Sequence, residues 1–442
     1  MAACRGRRGC RLRRGARPRR RARDRARALP PSGPVSPVSD AATLLDRCDR
    51  LGRCSEEESR LTRRFATPAL AEARELVAEW MHAAGMATTV DAVGNLMGRY
   101  EGLEPDAPAL ALGSHLDTVP DAGRYDGPLG ILAGLATVER LVADGTRLPF
   151  AVEVVAFADE EGARFRTAYL GSGAFCGRFD PAWLALMDSE GVSVAEAIRT
   201  GGGDPDAIAA CARPAGSLVG WVEAHIEQGP VLEDEGLPVG VVTAIAAQTR
   251  LCLDFMGQAG HAGTTPMALR HDALAAAAET VLAVEVVGRT TEGVVATVGT
   301  IAVEPGAGNV IPGRATLSID VRHADDATRD AAVTAILAQA EVAAATRGVS
   351  LAGEAVQEHG GVAMSPALTE ALAAAVAAQG LKVCRLVSGA GHDAVQLAQL
   401  TPVAMLFVRC AGGLSHNPAE AVAEADIAVC LDVLERLVRS LA

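Results

Sequence analysis

The stretch from Pro108 to Gly162 constrains the fold of this chain more than any other. "PALALGSHLDTV" is an apolar run that ends in His and Asp. "GPLGILAGLATVERLVADG" has helical spacing, with Pro near its first turn and Gly145 at its close. "FAVEVVAFADEEG" is a second apolar run, and it ends in acids. Short apolar runs without alternation read as strands buried on both faces, and a helix between two of them indicates parallel neighbours in an α/β sheet. Sites in open α/β sheets form beyond the carboxyl ends of the strands, and polar clusters fall there twice.

At 442 residues the chain is too long for one ordinary core, so two domains are expected. No apolar run reaches the roughly 18 residues that span a bilayer. A net charge of -13 argues against a nucleic-acid-binding body. That charge is uneven. Residues 1–37 hold 13 Arg and one Asp, a charge of +12, which leaves -25 for the rest. This segment has no apolar periodicity and reads as a disordered tail, outside the functional body. It has no h-region of a secretory signal, and it lacks the Ser content of a transit peptide. Translation of GC-rich DNA upstream of a true start would give the same Arg/Ala/Pro/Gly tract. The ten Cys show no CxxC or CxxH spacing, which points to reduced thiols in a cytoplasm rather than a zinc knuckle or a disulfide framework.

The body begins near Ser39 with two helical patterns, "AATLLDRCDRLGRC" and "PALAEARELVAEWMHAAG", and then two short strands around a Gly-Asn turn. From Gly240 the texture changes to alternating strands and two Ala-rich helices in the order β-α-β-β-α-β, a ferredoxin-like arrangement. After Gly353 the α/β pattern returns, with helices near 366–380 and 422–441. The expected architecture is a mixed-sheet α/β domain over 38–240 and 354–442, with an inserted α+β domain over 241–353.

His115 and Asp117 lie two apart at a strand end and share a face. A metal-ligating His usually has its other ring nitrogen held by a carboxylate, which Asp117 can supply, leaving Asp126 free to be a ligand. The plainer reading is a turn that leads into the next helix. Asp159, Glu160 and Glu161 follow "VEVVAF"; neighbouring carboxylates there point to opposite sides, so one can bind metal while another holds a water as general base. Their plainer reading is an acidic helix start. "EAHIEQGP" supplies His225 beside Glu223, Glu227 and Gln228, and "GLSHNPAE" supplies His416 in a loop. Each motif alone is weak. Together they hold the inventory of a two-metal centre, and N/O ligation without thiolate suits Zn, Mn, Co or Ni.

The order "GSHLDTVPDAGRYDGPLG", "FADEEGARF", "EAHIEQGPVLE", "GQAGHAGTTPM", "NVIPGRATLSIDVR", "SGAGHDA" and "FVRCAGGLSHNPAE" resembles the amidase/carbamoylase branch of the M20 metallopeptidases. That branch includes allantoate amidohydrolases, N-carbamoyl-L-amino-acid hydrolases and β-ureidopropionases. The resemblance spans about residues 40–442. It implies a metallo-exopeptidase-like catalytic domain whose insert acts as lid and dimerisation domain. It implies two divalent ions per subunit, Zn or Mn, with Co or Ni also suited. His115, Glu161, His225 and His416 would share them and Asp126 would bridge them. Asp117 would orient His115 and Glu160 would be the general base. His261 and Asn309 match groups that polarise the substrate carbonyl, Arg322 a clamp for its carboxylate, and Gln228 a substrate-binding amide. A cis Asp126–Gly127 bond also follows from the family pattern.

The implied reaction is hydrolysis of a C–N bond in a small ureido acid, with allantoate ahead of N-carbamoyl amino acids and N-carbamoyl-β-alanine. A dipeptidase or aminoacylase of the same superfamily is the more distant alternative, and a non-catalytic ligand-binding relative is a third reading. A serine hydrolase lacks its GxSxG elbow, and a dehydrogenase lacks GxGxxG. The expected partners are a small substrate and a second copy of the chain, without nucleic acid or membrane. His82 lies in a helical pattern, His271 and His323 read as surface residues, His359 has no assigned role, and His392, on a loop before a helix, is a candidate to line the pocket.

Overall fold

The computed structural model describes residues 40–442; the tail expected over 1–37 lies outside them. Nine strands form one large mixed sheet. Its centre is four parallel strands in the spatial order Ala151–Phe157, Ala109–His115, Leu218–Ile226 and Val403–Val408. Antiparallel strands flank them on both sides, Leu96–Tyr100 against Ala151–Phe157 and Val239–Ile245 against Val403–Val408.

The parallel register matters for function. His115 lies beside Phe157, and His225 beside Phe407. All four carboxyl ends therefore open onto the same edge, with the acids of 159–161 and the loop of His416 just beyond it.

Strands Ala109–His115 and Ala151–Phe157 are buried along their whole length because both faces are covered. Helices Asp40–Leu51, Pro128–Ala143, Pro366–Ala377 and Glu424–Ser440 seal one face through Leu44, Leu132, Leu372 and Leu434. Phe157, Phe175, Trp221 and Phe407 fill the other. Glu153, the one charged residue within Ala151–Phe157, is neutralised there by Arg99 at 3.0 Å and Arg213 at 3.1 Å. The eight cysteines among the described residues are free thiols. No helix among them is long and apolar enough to cross a membrane.

A second, four-stranded antiparallel sheet has the spatial order Ser350–His359, Ala247–Met256, Arg314–His323 and Val295–Glu304. Helices Ala273–Thr290 and Asp326–Thr346 join its core, where Leu253, Phe255, Ala277, Leu317, Ile319 and Ile336 meet. Inward residues alternate with Arg250, Cys252 and Asp254 along one strand, as a sheet packed on one face requires. The β-texture from Gly240 onward is thus two strands in two sheets. Val239–Ile245 pairs within the large sheet, and the chain crosses at Ala246. It returns between His359 and Val362.

Candidate metal centre

His115 and His225 sit where buried strands stop, while Asp126 and His416 come from loops beyond strand ends. His115 ends its strand with 2% exposure, and its Nδ1 faces the Asp117 carbonyl at 3.1 Å. His225 is 1% exposed, and its Nδ1 faces the Ile226 carbonyl at 2.9 Å. A nitrogen facing a carbonyl carries a proton, so each ring turns its Nε2 inward as the atom that holds either a second proton or a cation. The two Nε2 atoms stand 3.4 Å and 3.2 Å from the same oxygen, Asp126 Oδ1. His225 Nε2 is buried and has no hydrogen-bond partner among the described residues. Two lone pairs and a carboxylate oxygen aimed at one another are mutually repulsive unless a proton or a cation lies between them. The donor set fits a metal ion.

Asp126 faces a second group through its other oxygen. Oδ2 is 3.4 Å from His416 Nε2, which in turn is 3.3 Å from Glu161 Oε1. One carboxylate thus stands between a His115/His225 side and a Glu161/His416 side. Oδ2 also accepts from Gln228 Nε2 at 2.8 Å and from Ser415 Oγ. Gly127 makes this approach sterically feasible: with φ of +85°, any Cβ there would lie 2.5 Å from the His115 carbonyl and 2.7 Å from its Nδ1. The Asp126–Gly127 peptide is trans, contrary to the expectation of a cis bond; the cis peptide bond among the described residues is Glu304–Pro305. Positive φ at a residue without a side chain gives the sharp turn instead.

Asp117 is fully buried and ties the acids to the imidazoles. Its carboxylate accepts from the backbone N–H of Glu160 at 3.0 Å and of Glu161 at 3.2 Å, and lies 3.4 Å from His115 Nδ1. Glu160 is 8% exposed, with ligand-capable oxygen near His115 and Glu161. Burial, reinforced by the charge of Glu161, pushes the Glu160 carboxyl well above its ordinary value. Burial works in the same direction on Asp126, but His115 and His225 outweigh it and hold that carboxyl well below. The Glu161 hydrogen bond lifts His416 to about 9. Asp159, Glu223 and Asp393 are buried close by, and burial raises all three. This excess of buried carboxyl groups over imidazoles is the electrostatic signature of a site built for cations.

The expected substrate residues are distributed differently. Arg322 lines a cavity of about 390 Å³ together with Tyr169, Trp183, Gln248, Gly389 and Gly391. A Cβ on Gly391 would lie 3.9 Å from Glu160 Oε1, so this cavity reaches the acid cluster. The Arg322 fork is engaged by Asp320, at 2.7 Å from Nε and 3.0 Å from Nη2, while Nη1 donates to the Gly389 carbonyl. Gln228 turns to Asp126 rather than lining the cavity. His261 and Asn309 meet on a short ribbon, where the Ala262 N–H donates to the Asn309 carbonyl at 2.9 Å. Both are exposed and neither lines the cavity. His261 Nδ1 accepts from the Gly263 N–H at 3.0 Å, which leaves Nε2–H as a donor to whatever approaches.

The structure adds residues that sequence reasoning placed in no ligand or catalytic role. His392 is 2% exposed, stacks edge-on against His225 at 4.5 Å between ring centroids, and shares a hydrogen bond with Ser388 at 2.8 Å. Burial and the neighbouring His225 hold it well below its ordinary value, so it is neutral. Glu223 accepts from Ser114 Oγ at 2.7 Å and Trp221 Nε1 at 3.3 Å. Its placement two residues before His225 on a buried strand was the available signal. His82, His271 and His359 are exposed and His323 is partly buried, all outside this cluster.

A mixed α/β fold whose parallel strands end in converging imidazoles and carboxylates defines a metallohydrolase. The chain belongs to peptidase family M20/M25/M40, whose profile matches residues 111–440. It is 44% identical to an N-carbamoyl-L-amino acid amidohydrolase of Geobacillus stearothermophilus, over 86% of this chain and 93% of that protein. It is 40% identical to allantoate deiminase 1 of Glycine max, over 84% of each. The crystal structure of a hydantoinase/carbamoylase family amidase from Burkholderia multivorans superposes with a TM-score of 0.85 at 35% identity, covering 90% of this chain and 97% of that one.

Proposed function

We propose that this protein is a binuclear metal-dependent amidohydrolase that cleaves a carbamoyl C–N bond of a small carboxylated ureido acid. The observation that carries the reading is Asp126, which presents one oxygen to His115 and His225 and the other toward His416 and, through it, Glu161. His115, Asp126, Glu161, His225 and His416 would hold two divalent ions, Zn or Mn. Such a pair supplies an activated water at neutral pH and charge stabilisation for a hydrolytic transition state. Glu160 takes a proton from the attacking water and delivers it to the leaving nitrogen. Asp117 holds the Glu160 and Glu161 backbone in place. Arg322 receives the substrate carboxylate in the cavity beside Gly391. Water adds to the ureido carbon, the C–N bond breaks, and the carbamate released falls apart to ammonia and carbon dioxide.

The insert expected over 241–353, whose sheet runs from Ala247 to His359, is the ferredoxin-like lid and dimerisation domain of this reading, and the remainder of 40–442 is the catalytic domain. Because His261 and Asn309 are exposed and lie outside this chain's cavity, they serve the site of the second subunit in a homodimer. The cytoplasm suits the free thiols. Allantoate, and with it a place in purine breakdown, is the first substrate reading, from "QTRL" leading into "GHAGTTPM". The 44% identity to an N-carbamoyl-L-amino acid amidohydrolase favours N-carbamoyl-L-amino acids as the second. Mn-loaded protein incubated with allantoate, N-carbamoyl-β-alanine and several N-carbamoyl-L-amino acids separates them by ammonia release. No ammonia from any of them would defeat the assignment.

A further inference from the structure

We propose that Glu420 is a positioning residue that locks the loop carrying Asp126, so that the bridging carboxylate is presented to both sides of the centre. The proposal rests on reading the cluster as a metal centre.

Glu420 is 2% exposed and lies four residues after His416. Its Oε1 accepts from the backbone N–H of Tyr125 at 2.7 Å and of Asp126 at 3.2 Å. Gly123 packs so closely that a Cβ there would stand 2.3 Å from the Glu420 carboxyl carbon and 2.5 Å from its Cβ. The same segment holds the Asp126 side chain, because Ser415 Oγ donates to Oδ2. It is braced internally, with Glu420 N–H donating to the Asn417 carbonyl at 3.0 Å and Ala419 N–H to Asn417 Oδ1 at 2.9 Å. Residues 415–420 therefore grip Asp126 by side chain and by backbone while supplying His416 from the same turn.

Among the described residues, the backbone N–H groups of Tyr125 and Asp126 have no hydrogen-bond acceptor other than Glu420. Removing that acceptor leaves two donors unpaired next to the carboxylate whose direction decides the bridge. Groups that orient metal ligands from behind typically change metal affinity by about 10–100-fold when lost. Glutamine keeps the acceptor oxygen, so it separates the hydrogen bonds from the charge.

The test is Mn²⁺ titration of the chelator-stripped full-length protein by calorimetry, with circular dichroism as the fold control. Glu420→Ala is expected to weaken Mn²⁺ binding by about 10–100-fold, and Glu420→Gln to restore it to within about threefold of wild type. Gly123→Ala keeps the carboxylate but drives it off the loop. It should weaken binding as Glu420→Ala does, and it decides the matter if Glu420→Ala does not fold. Wild-type Mn²⁺ affinity in folded Glu420→Ala, or in folded Gly123→Ala where Glu420→Ala does not fold, overturns the proposal even if the melting temperature falls. Failure of the wild-type protein to bind Mn²⁺ or Zn²⁺ overturns the metal-centre reading itself.

Discussion

The large sheet and the four-stranded sheet hold most of their candidate site residues in opposite environments, with the half-exposed His416 the exception on the large sheet. In the first, His115, Asp117, Asp126, Glu160 and His225 are all under a tenth exposed and stand at the ends of parallel strands covered on both faces. In the second, Arg322 is about a quarter exposed on an antiparallel strand with one packed face, and His261 and Asn309 stand in solvent. Burial on two faces fixes rotamers and lowers the local dielectric, which suits groups that hold ions and move protons. A face open to solvent suits groups that must meet a substrate or another subunit.

The comparison breaks most sharply at Glu160. Glu160→Gln should keep the metal content, measured by elemental analysis, while kcat falls by about 10²–10⁴-fold; retained turnover removes the base from this position. His261→Ala should also leave metal content intact and lower kcat by about 10²–10³-fold, as loss of a carbonyl-polarising donor does. Mixing that variant with Glu160→Gln should restore part of the activity if the donor acts across a dimer, and none if it acts within one chain. Arg322→Met should raise KM for a carboxylated substrate by about 10–100-fold with a smaller change in kcat, the size of a lost charged hydrogen bond. An unchanged KM would place the carboxylate elsewhere. The smallest effect on rate belongs to Leu317→Ala, deep in the second core. It should cost about 2–5 kcal/mol in denaturant unfolding and raise hydrogen exchange across 247–359, yet leave metal stoichiometry unchanged.

Much of the body was legible because its signals are local. "ALALGSH" and "AVEVVAF" read as buried strands and proved so along their full length. Gly145, expected at a helix close, takes positive φ. The polar clusters at strand ends are where the imidazoles and carboxylates meet. What remained hidden depends on partners distant in sequence. Nothing around Ala246 announces that one β-texture serves two sheets, since alternation records burial and not the identity of the neighbour. His392 and Glu420 looked like loop residues because their partners, His225 and the Tyr125–Asp126 backbone, lie more than a hundred residues away. The turn at Asp126 was expected to need a cis bond, yet a glycine with positive φ serves the same purpose, and family pattern alone does not distinguish the two.

The span from His115 to His416 spreads the candidate ligands across the order of synthesis as well as in space. During synthesis the chain can lay down His115, Asp126, Glu161 and His225 and still have no finished site, because His416 and Glu420 arrive only with the closing segment before helix Glu424–Ser440. The last parallel strand, Val403–Val408, must first find its place beside Leu218–Ile226. An ion that binds the complete set stabilises finished molecules by mass action and leaves truncated ones without that reinforcement. Tight metal retention would then serve as a certificate of completion, separating whole chains from fragments before any substrate is met.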